Sequence, residues 1–146
     1  MTDNVFLLDS NILVYAYDAS EKSKHNIAKE LLKKCFLGNV NYAISLQNIS
    51  EFIVTVTKKI PNPISITEAK KIISSFVNFD GLIKIEPTKS SILNALDLCT
   101  KYNIGYWDAL IASVMLENNI FYIYTENTKD FSRIKEINVV NPFTET

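Results

Sequence analysis

Glycine is scarce in this sequence of 146 residues, which contains three: Gly38, Gly81 and Gly105. They lie too far apart to form a G-x-G-x-x-G turn or a glycine-rich phosphate loop, since both need several glycines within a few residues. The commonest nucleotide-binding motifs are therefore excluded, and the chemistry must come from other side chains.

Cysteine and histidine are almost as rare. The two cysteines, Cys35 and Cys99, fall within predicted helices and have no C-x-x-C or Cys/His spacing, so we expect buried thiols and neither a disulfide nor a zinc site. The single histidine, His25, lies on the predicted exposed face of a lysine-rich helix, where we expect a solvated side chain. The sequence therefore argues against a Ser-His-Asp triad.

Long apolar runs and a strong net charge are also missing. No run approaches the roughly 20 apolar residues that cross a bilayer. The start "MTDN" lacks the basic region of an export signal, so we expect a cytoplasmic protein with no membrane segment.

The length and an apolar fraction of 47% predict one domain spanning residues 1–146. The formal net charge of −1 leaves nucleic acid open as a partner, because a local lysine stripe can supply a positive field.

Short apolar segments alternate with amphipathic ones along the chain. The segments "VFLL", "YAIS", "GLIKI", "IFYIYT" and "INVV" are typical of strands, and helical patterns lie between them. This alternation predicts an α/β fold, a three-layer α/β/α sandwich with a mainly parallel central sheet. Two helical patterns predict inward faces formed by Ile27, Leu31, Leu32, Cys35 and Phe36 in the first and by Ile92, Leu93, Leu96 and Cys99 in the second.

Polar side chains stand at the carboxyl ends of predicted strands. Asp9, Ser45 and Thr125 each follow strand residues, and ligands of parallel α/β folds bind beyond this edge of the sheet. Taken alone, Asp9 is also typical of the N-cap of the next helix, and Asp108 of a charge at the start of an apolar helix. Glu51 alone is typical of a surface glutamate.

Taken together, the carboxylates of Asp9, Glu51 and Asp108 indicate a shared site. Like charges in a low-dielectric cleft repel one another and are tolerated mainly where a cation compensates them. Oxygen ligands without His or Cys favour Mg²⁺ or Mn²⁺. We therefore predict that the three carboxylates converge on one acidic cleft at the carboxyl edge of the sheet, whereas independent caps would be scattered.

Four blocks of the sequence resemble those of the PIN domain family, in the expected order. They are "LLDSNIL" with Asp9, "SLQNISEF" with Glu51, "YWDALIAS" with Asp108, and "IYTENTKDF", which contains Thr125 to Phe131. The chain length and the closing "NPF" resemble the VapC-like toxins of prokaryotic toxin–antitoxin pairs. The resemblance implies a ribonuclease that depends on Mg²⁺ or Mn²⁺, commonly a homodimer, and commonly silenced by an antitoxin segment inserted near the acidic cleft.

The resemblance also implies roles for individual residues. Asp9 and Asp108 would be direct or water-bridged metal ligands, and Glu51 a ligand or the base that orients the attacking water. Asn11 and Thr125 would hydrogen-bond the carboxylates or coordinated waters, although both are equally typical of turns and caps. Lysines are candidates for RNA phosphate contacts, namely Lys22, Lys24, Lys58, Lys59, Lys89 and Lys129. Aromatic residues either stack on unpaired bases or belong to the core, namely Tyr15, Tyr17, Tyr106 and Trp107.

One position departs from the family pattern. The family commonly has a fourth acid where this chain has Asn127, and the neighbouring Glu126 and Asp130 do not occupy that position. An amide oxygen can ligate an ion or orient a water but adds no negative charge, so a second metal ion would be held less tightly. A turn that swings Asp130 into the cleft would substitute for the missing acid.

Two alternative functions fit parts of the sequence. A haloacid-dehalogenase-type phosphatase also has an aspartate at a strand end, but its DxD signature fails here because Asn11 stands where the second acid belongs. A non-catalytic PIN-like module that binds RNA or protein stays open because of the loss at Asn127.

The two helical segments spanning about residues 45–59 and 64–79 carry more apolar residues than one inward stripe needs. We expect part of that surface to form a homodimer interface. The residues concerned are Ile53, Val56, Ile66, Ile73, Phe76 and Phe79.

Overall fold

Five short strands form one parallel sheet in the computed structural model, which describes residues 4–144. The strands are β1 (Phe6–Leu8), β2 (Tyr42–Ser45), β3 (Leu82–Ile85), β4 (Tyr122–Tyr124) and β5 (Asn138–Val140). Their order across the sheet is β3-β2-β1-β4-β5, and every neighbouring pair is parallel. The predicted parallel sheet is confirmed.

Helices connect successive strands, as parallel pairing requires. They are α1 (Ser10–Tyr17), α2 (Lys22–Phe36), α3 (Leu46–Lys58), α4 (Ile66–Asn78), α5 (Lys89–Tyr102), α6 (Tyr106–Glu117) and α7 (Thr128–Phe131). Within residues 4–144, no helix has both the length and the apolar character needed to cross a bilayer.

The strand order reverses at the centre of the sheet. From β1 the chain adds β2 and β3 on one side, and later adds β4 and β5 on the other. The carboxyl ends of β1 and β4 therefore lie side by side, and the Asp9 amide donates to the Tyr124 carbonyl oxygen at 3.1 Å. Such a switch point leaves a crevice beyond the strands, which is where ligands of this fold class bind.

Helices cover both faces of the sheet. Side chains of a strand alternate between faces, and Leu8 packs into a core with α1 to α4, whereas Leu7 packs into a second core with α5 to α7. Phe52 and Phe76 fill the first core, and Phe131 lies in the second; all three are fully buried. The structure confirms the three-layer α/β/α sandwich.

The predicted inward face of α5 is wrong for three of its four residues, since only Cys99 packs against the core. Ile92, Leu93 and Leu96 are 45%, 66% and 51% exposed, while Ser91 and Ala95 are buried instead. The reason is the close approach of α5 to α6, where the Ser113 hydroxyl donates to the Ser91 carbonyl oxygen at 2.8 Å. Small side chains allow that approach, so the large aliphatic residues are displaced to the outer side.

Predictions for α2 and the thiols hold in part. Leu31, Leu32 and Cys35 are buried as expected, but Ile27 is only partly buried and Phe36 is 36% exposed. Cys35 is a buried free thiol and Cys99 a partly buried one, so neither forms a disulfide. His25 is not a freely solvated residue, because it is partly buried and its Nδ1 lies 2.8 Å from the Tyr15 carbonyl oxygen.

The apolar residues of α3 and α4 divide between core and surface. Val56 and Phe76 are fully buried, and Phe79 packs partly buried against the core, so these three do not form a free surface. Ile66 is 66% exposed and, with the partly buried Ile53 and Ile73, lines an apolar groove of about 450 Å³.

Candidate active site

Asp9 lies at the switch point, where β1 ends. It is the N-cap of α1 and is only 5% exposed. Its carboxylate oxygens accept four hydrogen bonds, from Ser10 N (2.8 Å) and Asn48 Nδ2 (3.2 Å) on Oδ1 and from Thr125 Oγ1 (2.7 Å) and Asn11 Nδ2 (3.3 Å) on Oδ2. Burial raises the pKa of Asp9, and the bonds from Thr125, Ser10 and Asn11 only partly oppose that effect. Asp9 is therefore both a helix cap and a buried, strongly fixed acid.

Asn48 holds Asp9 from the side of α3, and the sequence analysis missed it. Ser45 caps α3, and its hydroxyl and backbone amide exchange hydrogen bonds with the backbone and side chain of Asn48 in a capping box. The fully buried Asn48 side chain therefore accepts from Ser45 and donates to Asp9. Its position three residues after a capping serine, and one turn before Glu51, is the signal that would have identified it.

We expect Asn48→Ala to lower the free energy of unfolding by about 2–3 kcal/mol, because it removes one half of the capping box and leaves buried polar groups without a partner. Urea denaturation measures the change. Asn94→Ala on the exposed side of α5 is the matched control and should stay within about 0.5 kcal/mol of the parent protein. Equal, small effects of the two substitutions would show that the Asn48 bonds do not stabilise the fold.

Glu51 lies on the exposed side of α3, in the second turn of the helix. Its pKa is raised, first by partial removal of the carboxyl group from water and then by the negative charges of Asp9 and Asp108. The carboxylates of Asp9 and Asp108 are therefore close enough to Glu51 for their charges to raise its pKa.

Asp108 lies in the first turn of α6, and its pKa is raised. Burial, a hydrogen bond with Asp130 and the charges of Asp9 and Asp130 raise its pKa to about 6, while a hydrogen bond from Asn127 opposes the change. The Asn127 Nδ2 donates to Asp108 Oδ2 at 3.2 Å. At neutral pH this carboxylate is ionised against electrical repulsion.

Asp130 supplies a fourth carboxylate to the cleft. It lies in the short helix α7, and its side chain is close enough to that of Asp108 to raise the pKa of Asp108. Its Oδ2 also lies 4.0 Å from the point where a β-carbon on Gly105 would stand, beside the first turn of α6, where a helix dipole favours negative charge. The turn after β4 thus places Asp130 beside Asp108, while the family's acid position is occupied by Asn127.

Glu126 points away from this group of acids. Its Oε1 accepts from the Tyr15 hydroxyl at 3.1 Å, and its Oε2 lies 2.8 Å from Lys24 Nζ. Its backbone amide donates to Asn11 Oδ1 at 3.1 Å. The turn after β4 is thereby tied to α1 and α2, and the expected phosphate ligand Lys24 is already engaged by a carboxylate.

The other expected RNA contacts are spread over the molecule. Lys59 lines the cleft that contains Glu51. Lys22, Lys58, Lys89 and Lys129 are exposed, in α2, α3, α5 and α7 respectively. Among the aromatic residues, Tyr15 and Tyr17 pack against the first core and Tyr106 against the second, whereas Trp107 is 65% exposed.

The four carboxylates suit a hard divalent cation, both because they are negatively charged and because their ligand atoms are oxygens. All four acids offer oxygen, and within residues 4–144 the one ion pair joins Lys24 to Glu126, so none of the four is neutralised by a cationic side chain. Over the same residues, however, no three His, Cys, Asp or Glu side chains are already arranged to hold a metal ion. Amide groups of Asn48, Asn11 and Asn127 occupy oxygens of Asp9 and Asp108, so ion binding must exchange some of these bonds.

This fold and this site define an α/β protein with an acidic, oxygen-donor cleft beyond the switch point of a parallel sheet. The chain belongs to the PIN domain family, whose model matches residues 6–137. The matched range contains all four carboxylates, and the family that the sequence motifs indicated is confirmed.

Solved structures of toxin–antitoxin proteins have a similar fold. A toxin–antitoxin complex from Klebsiella pneumoniae is 23% identical with a TM-score of 0.67, over 94% of this chain and 97% of that chain. VapBC2 from Rickettsia felis, bound to a promoter DNA fragment, is 25% identical with a TM-score of 0.65, over 94% and 98%. VapC20 from Mycobacterium tuberculosis, a toxin that cleaves the sarcin–ricin loop, is 12% identical with a TM-score of 0.68, over 87% and 93%. No curated protein sequence matches the chain.

Proposed function

We propose that this protein is a metal-dependent endoribonuclease that hydrolyses RNA phosphodiester bonds in the cleft formed by Asp9, Glu51, Asp108 and Asp130. The observation that carries the proposal is the repulsion among these carboxylates: the charges of Asp9 and Asp108 raise the pKa of Glu51, those of Asp9 and Asp130 raise the pKa of Asp108, and no cationic side chain of residues 4–144 pairs with the four acids. Such a group of charges is a site for a bound cation. Family membership and the RNA-cleaving activity of the similar toxin VapC20 support the same function.

Some of these residues would hold the metal ion, and another would activate the attacking water. Asp9 and Asp108 would hold Mg²⁺ or Mn²⁺, and Asp130 beside Asp108 adds negative charge. When bound, the ion polarises the phosphate and lowers the pKa of water. Glu51 at the exposed side of the cleft accepts a proton from the attacking water. Thr125 and Asn48 keep the Asp9 carboxylate in place through their hydrogen bonds.

Cleavage of a mixed pool of RNA by the purified chain tests this function. We expect fragments in Mg²⁺ or Mn²⁺ and none in EDTA, with activity restored by excess metal. Because water attacks rather than the ribose 2′-hydroxyl, the fragments should carry no 2′,3′-cyclic phosphate. Cleavage that persists in EDTA, or cyclic phosphate ends, would contradict the mechanism.

A PIN-like module that binds RNA or protein without cutting is the second candidate function. It is favoured by the lack of a ready three-ligand metal site within residues 4–144 and by the amide at Asn127. Binding of the same RNA pool in Mg²⁺ without fragments, at enzyme and RNA concentrations that saturate binding, would select this alternative.

We also propose that the protein is the toxin of a toxin–antitoxin pair acting on cytoplasmic RNA, with an antitoxin segment that enters the acidic cleft. The similarity to the complexes from Klebsiella pneumoniae and Rickettsia felis supports this role. Expression of the chain alone should stop bacterial growth, and coexpression with the product of the adjacent reading frame should restore it. Growth arrest by Asp108→Asn as strong as that by the parent chain would separate toxicity from the cleft.

We expect a homodimer that buries the groove between α3 and α4. Light scattering should then give twice the chain mass of 16.6 kDa at micromolar concentration. Ile66→Glu should yield the monomer mass, because it places a charge in an apolar interface. The control is Leu93→Glu on α5, since Leu93 and Ile66 are both 66% exposed. A monomeric parent protein contradicts the dimer, and dissociation by Leu93→Glu alone places the interface on α5.

A further inference from the structure

A groove leads out of the acidic cleft along the exposed side of α3. It encloses about 450 Å³, a volume typical of ligand pockets. Ser10, which follows Asp9, and Glu51 line it on the side of the acids, and its other lining residues include Gln47, Val54, Lys59 and Trp107.

Trp107 forms one wall of this groove. It is the only tryptophan in the sequence, it directly precedes Asp108, and it is 65% exposed. Its backbone is fixed because its carbonyl oxygen accepts from Gln47 Nε2 at 3.2 Å, which joins the starts of α3 and α6. Its ring meets that of Tyr106 edge-on, with 5.2 Å between centroids. A large flat apolar surface is thus held in water beside the acids.

The groove changes character along its length. Val54, 47% exposed, adds apolar surface in the middle, and Lys59 places a cationic side chain at the outer end. Glu51 and Lys59 are eight residues apart, which is about 12 Å along a helix. Acids that suit a metal-bound phosphate therefore stand at one end of the groove with Trp107 beside them, and a cation for a further phosphate stands at the other end.

We propose that this groove binds an unpaired nucleobase of the RNA substrate, stacked on the Trp107 indole next to the phosphate that is cut. The proposal rests on the nuclease function above and adds the place where one base of the substrate is held. A base has a flat face for the indole, and its nucleotide carries the phosphate that Lys59 attracts. A base-paired strand cannot offer such a face, because its bases are stacked on one another.

The single tryptophan makes the groove directly observable. Binding is measured with the Asp108→Asn variant, which prevents cleavage during the measurement. The probes are a six-nucleotide RNA and an abasic chain of equal length, both in Mg²⁺. The RNA should quench the tryptophan fluorescence in a saturable manner, and the abasic chain should not. In the Asp108→Asn background, Trp107→Ala should weaken RNA binding about tenfold or more, as loss of one stacked base predicts. Trp107→Tyr should restore most of it, because it keeps a stacking ring.

The matched control is Phe121→Ala, which removes an exposed aromatic ring at the opposite, amino-terminal edge of the sheet. It should leave RNA binding within about twofold, and thermal unfolding should show that both alanine variants remain folded. RNA binding without quenching, or equal affinity after Trp107→Ala, would overturn the proposal even if the parent chain cleaves RNA. Quenching by RNA with the predicted loss in Trp107→Ala would support the groove even if the parent chain cleaves nothing, so the two failures are distinguishable.

Discussion

Asp108→Asn is expected to reduce RNA cleavage by about 10²–10³-fold and, in the absence of metal, to make the protein more stable at pH 7.5. The loss of activity follows from removal of an anionic ligand, with little change in volume, from the site that compensates phosphate charge. The gain in stability follows from the repulsion that the site contains, because burial, the bond with Asp130 and neighbouring charges raise the pKa of Asp108 to about 6.

The pH dependence of the stability gain has a definite sign. The pKa of Asp108 is higher in the folded protein than its ordinary value of 3.8, so its contribution to stability is fully present below pH 3.8 and is lost as the pH rises through about 6. Asparagine stays neutral and avoids that loss. After allowance for the partial solvation of Asp108, we expect Asp108→Asn to raise the melting temperature by about 2–4 °C at pH 7.5 and by nothing near pH 4.

Metal titration and one control complete this test. Added Mg²⁺ should raise the melting temperature of the parent protein and leave that of Asp108→Asn almost unchanged, since a bound ligand stabilises the form that binds it. Asp97→Asn, on the exposed surface of α5, should change neither cleavage nor the response to Mg²⁺. Undiminished cleavage by Asp108→Asn would remove Asp108 from the mechanism.

The strands and the acids at their ends could be predicted from the sequence because each carries a local signal. A buried parallel strand is a short apolar run, and a carboxylate directly after it stands out. The α/β alternation then leaves few arrangements, all of which put strand ends at one edge. Asp9 and Thr125 could therefore be placed at the same edge before the structure was known.

The faces of the helices were harder to predict because periodicity does not reveal what a helix packs against. In α5 the hydrophobic pattern selected Leu93 and Leu96, but the contact with α6 is made by Ser91 and Ala95. A helix can pack through a face of small residues or through a face of large ones. The distance to the neighbouring helix decides which of the two faces is buried.

The sequence allows Asp130 to stand in for the missing acid, but it does not establish the partners of single side chains. Asp130 reaches Asp108 because the turn after β4 runs across the cleft, and Lys24 meets Glu126 although about a hundred residues separate them in the chain. Neither contact leaves a periodic or spacing signal. The conformation of the turn alone therefore decides whether Asp130 lies beside Asp108.

Asp9→Asn is expected to reduce cleavage by about a thousandfold and, unlike Asp108→Asn, to destabilise the fold. The loss of activity again follows from removal of an anionic ligand. The difference in stability follows from the hydrogen bonds, because all four groups around Asp9 donate to it, including the backbone amide of Ser10, which cannot reverse its role. Asparagine offers one acceptor oxygen and turns an N–H group toward the remaining donors.

Urea denaturation at pH 7.5 should show a loss of about 1–3 kcal/mol for Asp9→Asn, the cost of buried polar groups left without partners. Relief of the buried charge acts in the opposite sense, since burial raises the pKa of Asp9, but an amide does not reproduce the acceptors of a protonated acid.

The control is Asp18→Asn, because Asp18 is also a buried aspartate and accepts from Ser20 outside the cleft. It should lose some stability and keep its cleavage rate, which separates loss of the site from loss of the fold. A rise in stability for Asp9→Asn equal to that of Asp108→Asn would show that repulsion outweighs the four hydrogen bonds, and cleavage at the parent rate would exclude Asp9 as a ligand.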